Sequence, residues 1–365
     1  MLMINDLLRH NEKIMPEIIQ ATSTVLKSGW YVLGKQVEEF EQEFSRYCQT
    51  DYCISVANGT DALELAMRSL EIGQGDQVIT VANAGAYSTT AIRAVGAEPL
   101  YADVDDQTLL LSISHLRALI TAQTKAIIVT HLYGQAAPMN ELLEVASEHG
   151  VPVIEDCAQA HGAMVNNRRV GSIGAIGCFS FYPTKNLGAL GDGGAITTNN
   201  QELARRAKML RQYGWQSKYE IALEGGRNSR LDELQASVLR IKLPYLDSWN
   251  SHRVEISQKY VAGIRNKYVS LPAIQSDSFV GHLFVIRSPK RDNLRAHLKQ
   301  NAIMSEVHYP IPDYRQPAFS GKFAETFLPV TEQSSKEILT LPCFPEMTDN
   351  EIQHVIHVVN DWSAE

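Results

Sequence analysis

The chain has 365 residues, 44% of them apolar and 20% charged, with 33 basic and 41 acidic residues and a net charge of −8. This is the composition of an ordinary globular protein, too long for one small core, so a large domain plus a smaller one is expected. The acidic balance argues against a nucleic-acid surface, no apolar run of about 18 residues is present to span a membrane, and the start lacks the order of a secretory signal, so a cytoplasmic protein is expected.

From residue 50 onward, short apolar runs alternate with helical patterns. Residues 53–57 read as a strand, and a helix opens at Asp61 with Leu63, Ala66, Met67 and Leu70 on one face. A strand at 77–81 precedes a helix at 87–95 that Gly96 can stop. A strand at 100–104, a helix around 116–120 and a continuous apolar strand at 126–131 follow. Such an unbroken run suits a strand covered on both faces. Residues 139–149 form a helix closed by Gly150, and 151–156 another buried strand. The alternation predicts a mostly parallel sheet with helices on both faces. Beyond Arg240 the pattern changes: 243–267 reads as one or two helices, 269–287 as antiparallel strands, and 293–301 and 350–362 as helices. The boundary falls near 245, giving a large domain at 1–245 and a small C-terminal domain at 246–365, with the N-terminal segment free to pack on the small one.

The five cysteines, Cys48, Cys53, Cys157, Cys178 and Cys343, have neither zinc spacing nor a C-x-x-C pair. They read as scattered buried thiols, and no metal site is expected. The chemistry concentrates elsewhere. Asp156 ends a buried strand, where open α/β sheets bind their ligands. A carboxylate there can keep a ring nitrogen protonated, as a pyridinium electron sink requires, although an Asp at a strand end also caps turns. Lys185 follows in a segment of few charges, with Gly188, Gly191, Gly193 and Gly194 behind it. Small residues let backbone pass close to a bound group, and a desolvated amine is available for Schiff-base chemistry. Asn58-Gly59-Thr60 links a strand to a helix N-terminus, whose free N–H groups attract an anion. Ser180, on the strand leading to Lys185, is a second anion ligand.

Several stretches together resemble the DegT/DnrJ/StrS sugar-nucleotide aminotransferase family of pyridoxal 5'-phosphate (PLP) enzymes. They are Asn58-Gly59-Thr60-Asp61-Ala62-Leu63, Gly134-Gln135, residues 155–162 from Glu155-Asp156-Cys157 to His161-Gly162, Phe181-Tyr182-Pro183-Thr184-Lys185-Asn186, and residues 228–236 opening Asn228-Ser229-Arg230. The similarity runs from about Ile18 to the C-terminus. It implies an α/β protein with the PLP-dependent transferase fold type I: a mostly parallel sheet flanked by helices, plus a smaller α+β C-terminal domain. By resemblance, Lys185 is the Schiff-base lysine and proton shuttle, Asp156 the pyridinium partner and Gln159 the neighbour of the ring hydroxyl. Gly59, Thr60 and Ser180 form the phosphate cradle. Asn228 reaches the partner subunit's phosphate, which implies a homodimer with composite active sites. His308 and Tyr309 lie near substrate. Family dehydratases carry histidine in place of the lysine, so Lys185 counts against that branch and against a mere binding module. The family's aromatic on the cofactor face falls at Gly85 here, which leaves Tyr87 to stack or the face open.

Two stretches bear on the sugar. His131-Leu132-Tyr133-Gly134-Gln135 and the run from Asn186 to Gly194 resemble enzymes that make 3-amino-3,6-dideoxy sugars on dTDP. Amination at carbon 4, or of a UDP-linked sugar, is the alternative. Tyr133 and Tyr182 are expected to orient the sugar, with glutamate as amino donor.

Overall fold

The structure, a computed structural model, describes residues 1–274 and 278–364. One sheet is built from β1 (Tyr52–Val56), β2 (Gln77–Val81), β3 (Glu98–Ala102), β4 (Thr124–Thr130), β5 (Val153–Asp156), β6 (Ile176–Ser180) and β7 (Gly194–Thr198). Its order is β1-β7-β6-β5-β4-β2-β3, and β7 alone runs against its neighbours. The apolar run expected at 126–131 lies in β4, where Ala126, Ile127, Ile128 and Val129 are all fully buried. Ala126 and Ile128 join one hydrophobic cluster, Ile127 and Val129 another. Side chains alternate across a strand, so the sheet has a core on each face.

The helices are α1 (Leu7–Glu12), α2 (Met15–Ser28), α3 (Lys35–Cys48), α4 (Gly59–Ser69), α5 (Tyr87–Ala94), α6 (Ile113–Leu119), α7 (Met139–Glu148), α8 (Gln201–Leu210) and α9 (Glu233–Lys242). α4, α5 and α8 cover one face, and α6 and α7 the other. From α3, Phe40 and Phe44 each meet the ring of Phe181 edge-on at 5.3 Å. That packing seats the chain immediately before Lys185.

The rest of the chain is α10 (Leu246–Gly263), β8 (Phe284–Arg287), α11 (Arg291–Gln300), α12 (Pro329–Glu337), β9 (Ile338–Leu341) and α13 (Asp349–Asp361). A separate cluster runs from Ile256 to Trp362. The antiparallel strands expected across 269–287 reduce to β8, whose partner β9 comes from far along the chain. Ser270 makes a single bridge to Arg287, and Pro272, with no N–H, cannot continue a ladder there. Residues 275–277 of that stretch lie outside the described residues. The N-terminal segment does pack on this part: the Leu2 N–H donates to Ala302, and Cys343 donates to Ile4.

β5 carries two successive carboxylates, which point to opposite faces. Glu155 accepts from the backbone N–H groups of Gly171, Ile173 and Gly174 at 2.9, 2.8 and 2.7 Å. His131 Nδ1 accepts from Ala137 N–H at 3.0 Å, so its Nε2 carries the proton and donates to Glu155 at 3.0 Å. Burial pushes the Glu155 carboxyl up, but His131 and the backbone donors outweigh it and hold it below the ordinary range. Cys157 Sγ lies within 4.8 Å of the ligand atoms of His131 and Glu155, a possible metal cluster, yet both carboxylate oxygens are already taken by N–H donors.

A carboxyl depressed in the folded chain contributes stability above its unfolded pKa that is lost as pH falls through the folded value. Glu155→Gln is therefore expected to cost about 2–3 kcal/mol at pH 7, because a donor replaces an acceptor among buried N–H groups. The deficit should narrow as pH drops below 4.5. Urea-denaturation midpoints of both proteins across that range test this; a pH-independent difference would contradict it.

Candidate active site

The carboxyl ends of β1, β4, β5 and β6 open onto a cavity of about 900 Å³. Gly59, Thr60, Tyr87, Asp156, Gln159, Ser180, Tyr182, Lys185, His308 and Tyr309 all line it. Of the expected site residues Asn228 and Tyr133 do not: Asn228 is exposed, bridged to Gln212, and outside this chain's own cavity. The gathering follows from topology, since parallel strands deliver their following loops to one edge.

At one end of the cavity Asn58 caps α4 by accepting from the Asp61 N–H at 2.8 Å. The first N–H groups of a helix have no intrahelical partners and attract anions. A Cβ on Gly59 would fall 2.6 Å from the Ser180 Cβ, so glycine is what lets α4 approach β6 and leaves Thr60 and Ser180 beside the opening. Behind the Lys185 turn, a Cβ on Gly188 would meet the Pro183 carbonyl at 2.3 Å. The buried ammonium of Lys242 ties this loop by donating to Gly188 O at 2.8 Å.

Asp156 and Lys185 face one electrostatic problem. Burial pushes the Asp156 carboxyl up, opposed by the Ala158 N–H, which donates to it at 3.1 Å, and by the Lys185 charge. Burial pulls the Lys185 amine down to about 8, with Asp156 resisting. Lys185 keeps some accessible surface on the cavity side, so the amine is both reachable and poorly solvated. A cationic ring nitrogen beside Asp156 would hold its carboxylate ionised.

A hydrogen-bonded wall closes the other side. Gln159 accepts from the Tyr133 N–H at 2.8 Å and donates to the Tyr309 hydroxyl at 3.1 Å. Burial keeps the Tyr309 hydroxyl protonated, and a hydrogen bond with Tyr87 favours the same form. Burial and the Lys185 charge pull His308 down to about 4, so it is neutral. Tyr133, expected to touch the sugar, is buried behind this wall and donates to the His308 carbonyl. It sits at φ 60°, a left-handed backbone that a bulky residue rarely adopts. Gly85 explains the missing aromatic: a Cβ there would meet Tyr309 at 2.9 Å and Tyr87 at 3.0 Å, so those two rings fill its space. Their centroids lie 6.1 Å apart, edge to face. Asp313 anchors the same loop to α5, accepting from Ala86 N–H at 2.9 Å and Thr89 hydroxyl at 2.7 Å.

Sequence reasoning missed Arg253 and His282, which also line the cavity. Arg253 lies in the stretch 243–267 read as one or two helices, where an arginine is by default a surface residue. All five cysteines are buried and free, and no helix among the described residues is long and apolar enough to cross a membrane.

The Lys185 amine is expected to titrate near 8 in the protein without cofactor, not at the ordinary 10.5. Trace acetylation across pH, read by mass spectrometry on the Lys185 peptide, measures this. Asp156→Asn should move the inflection lower still, because the lost carboxylate favoured the ammonium; an unshifted inflection in both proteins would contradict the pairing.

Residues 12–360 match the DegT/DnrJ/EryC1/StrS aminotransferase family. The dTDP-3-amino-3,6-dideoxy-alpha-D-galactopyranose transaminase of Aneurinibacillus thermoaerophilus is 47% identical over 358 residues, 98% of each chain. The dTDP-3-amino-3,4,6-trideoxy-alpha-D-glucose transaminase of Streptomyces venezuelae is 42% identical, covering 98% of this chain and 95% of the relative. The solved structure of S. venezuelae DesV in complex with a ketimine intermediate superposes with a TM-score of 0.96 at 41% identity, covering 100% of this chain and 99% of that one. The fold is the expected PLP-dependent transferase fold type I. With its motifs, fold and full-length relatives in agreement, this chain belongs to the DegT/DnrJ/EryC1/StrS aminotransferase family.

Proposed function

We propose that this protein is a PLP-dependent aminotransferase that moves an amino group from glutamate to carbon 3 of a dTDP-linked 3-keto-6-deoxyhexose. The observation that carries the reading is the poorly solvated Lys185 amine sharing a cavity with the Asp156 carboxylate and the Gly59–Thr60–Ser180 anion cradle. Those residues fit PLP: a cradle for the phosphate that a Cβ on Gly59 would fill, a carboxylate for the ring nitrogen and an amine for the aldehyde. When bound, PLP supplies a carbonyl carbon for amines and a ring that withdraws electrons from the substrate carbon.

The chain's own residues do the rest. Lys185 Nζ, with a pKa near neutrality, takes a proton from the substrate carbon and returns one, as efficient acid–base work requires. Asp156 holds the proton on the ring nitrogen. Thr60, Ser180 and the Gly59 backbone bind phosphate. Gln159, hydrogen-bonded to Tyr309, would hold the ring hydroxyl, and Tyr87 would flank the ring. Tyr182, His308 and Tyr309 orient the sugar, with Tyr133 acting through Gln159 and the His308 backbone. Asn228, exposed and outside its own cavity, completes the partner subunit's phosphate site in a homodimer. The two-domain division near 245 is supported by a separate core built from Ile256 to Trp362. The protein works in the cytoplasm.

Carbon 3 and dTDP are supported by two relatives, 47% and 42% identical over 98% of this chain, both named as dTDP-3-amino sugar transaminases. With glutamate as donor, dTDP-3-keto-6-deoxyhexose should be preferred over dTDP-4-keto-6-deoxyglucose by about 100-fold in kcat/KM, since the pocket chooses the carbon by how it orients the sugar. Preference for the 4-keto sugar would overturn the carbon assignment and leave the aminotransferase assignment standing.

A further inference from the structure

Arg253, on α10, lines the cavity and is only 2% exposed. Its Nη1 donates to the Cys343 carbonyl, its Nε is enclosed without an acceptor, and among the described residues it forms no ion pair. Arg211, 3% exposed, shows the contrasting arrangement, with its guanidinium on the Glu41 carboxylate. Glu346 acts on it only from beyond ion-pair distance, and a buried cation so poorly paired is unfavourable unless an anion arrives to meet it. The guanidinium is also held in place. A Cβ on Gly281 would lie 2.7 Å from the Arg253 Cβ, so the chain crosses tightly over α10 at this residue. His282 follows at once. Both amide hydrogens of Asn186 are used, on Asn250 and Val280, so Asn186 Oδ1 accepts and His282 Nδ1 donates at 2.8 Å. Burial, together with the charges of Lys185 and Arg253, keeps His282 neutral, so it adds no second cation.

The geometry points to Arg253 as the group that holds a carboxylate of the amino-acid donor, an inference that rests on the aminotransferase reading above. A planar carboxylate is satisfied by one guanidinium edge. A diphosphate spreads its charge over two groups and calls for several donors, whereas among the described residues lining the cavity only Lys185 joins Arg253 as a lysine or arginine, and Asp192 and Glu306 line it too. The cofactor's phosphate has its own cradle at Gly59, Thr60 and Ser180. Arg253 therefore gives the short donor an anchor separate from the groups that grip the sugar nucleotide, which lets one cavity serve two substrates of different size in turn.

The test uses Arg253→Gln and Arg253→Lys holoenzymes, with cofactor absorbance and thermal melting as folding controls. The donor half-reaction is followed with glutamate and the reverse half-reaction with the dTDP-amino sugar. Arg253→Gln should weaken glutamate binding by about 100-fold while the amino-sugar half-reaction falls by less than about threefold, and Arg253→Lys should recover part of the loss. Calorimetric binding of glutarate, which needs no turnover, should be seen with the wild type and lost in Arg253→Gln. Should the Gln variant not fold, the Lys variant and glutarate competition against glutamate in the wild type carry the test. Equal weakening toward glutamate and amino sugar, or unchanged glutamate affinity, would overturn the assignment. A wild type that glutamate does not convert at all would instead overturn the aminotransferase reading beneath it.

Discussion

The site depends on placing two opposite charges, Asp156 and Lys185, where neither is well solvated. Burial raises one pKa and lowers the other, and each charge resists the shift in its partner. The outcome is an amine near pH 8 beside a carboxylate ready for a cationic neighbour, a combination that water would erase by screening. Much of the surrounding structure maintains it. Glu155, back to back with Asp156, is clamped by three backbone N–H groups and His131, so β5 cannot rotate or slip without orphaning buried donors. Phe40 and Phe44 grip Phe181, and Lys242 ties the loop behind Lys185, so the amine is aimed by apolar packing on one side and a buried cation on the other.

The chain beyond Leu246 supplies the opposite wall. Tyr309 and His308 reach the cavity from a loop that Asp313 fastens to the N-terminal end of α5, where Tyr87 stands. Burial raises Asp313 to about 6 against the pull of the Thr89 and Ala86 donors, so this fastening is charge-assisted above that pH and weakens as the carboxyl is protonated below it. Gly85 belongs to the same design. Its absent side chain is replaced by rings from two distant parts of the chain, so the wall is aromatic without an aromatic residue at that position.

What the sequence made legible was whatever is local. The first five strands of the main sheet, the glycine after Asn58, the carboxylate closing β5 and the lysine in its glycine-rich loop all follow from residue type and short spacing. β3 and β4 begin two residues earlier than expected, at Glu98 and Thr124, because pairing with neighbours extends a strand past its apolar run. What stayed hidden depends on long-range burial. β8 takes its partner from Ile338–Leu341, far outside any window of sequence reading. Arg253 and His282 look like surface residues until α10 and the chain at Gly281 close over them. Tyr133, expected to orient the sugar, is turned behind the wall by its left-handed backbone, where it holds Gln159 and the His308 carbonyl.

The central claim is that Lys185, among all the lysines, is the cofactor's attachment point. Lys242 provides the sharpest internal control, because it too is buried and drawn down to about 8, yet it donates to the Gly188 carbonyl and lies outside the cavity. Borohydride reduction of the PLP-loaded protein, followed by peptide mass mapping, decides between them. The reduced cofactor should appear on the peptide that carries Lys185, and glutamate added before the borohydride should remove it. Label on Lys242 or another lysine, or label that glutamate leaves in place, would contradict the account.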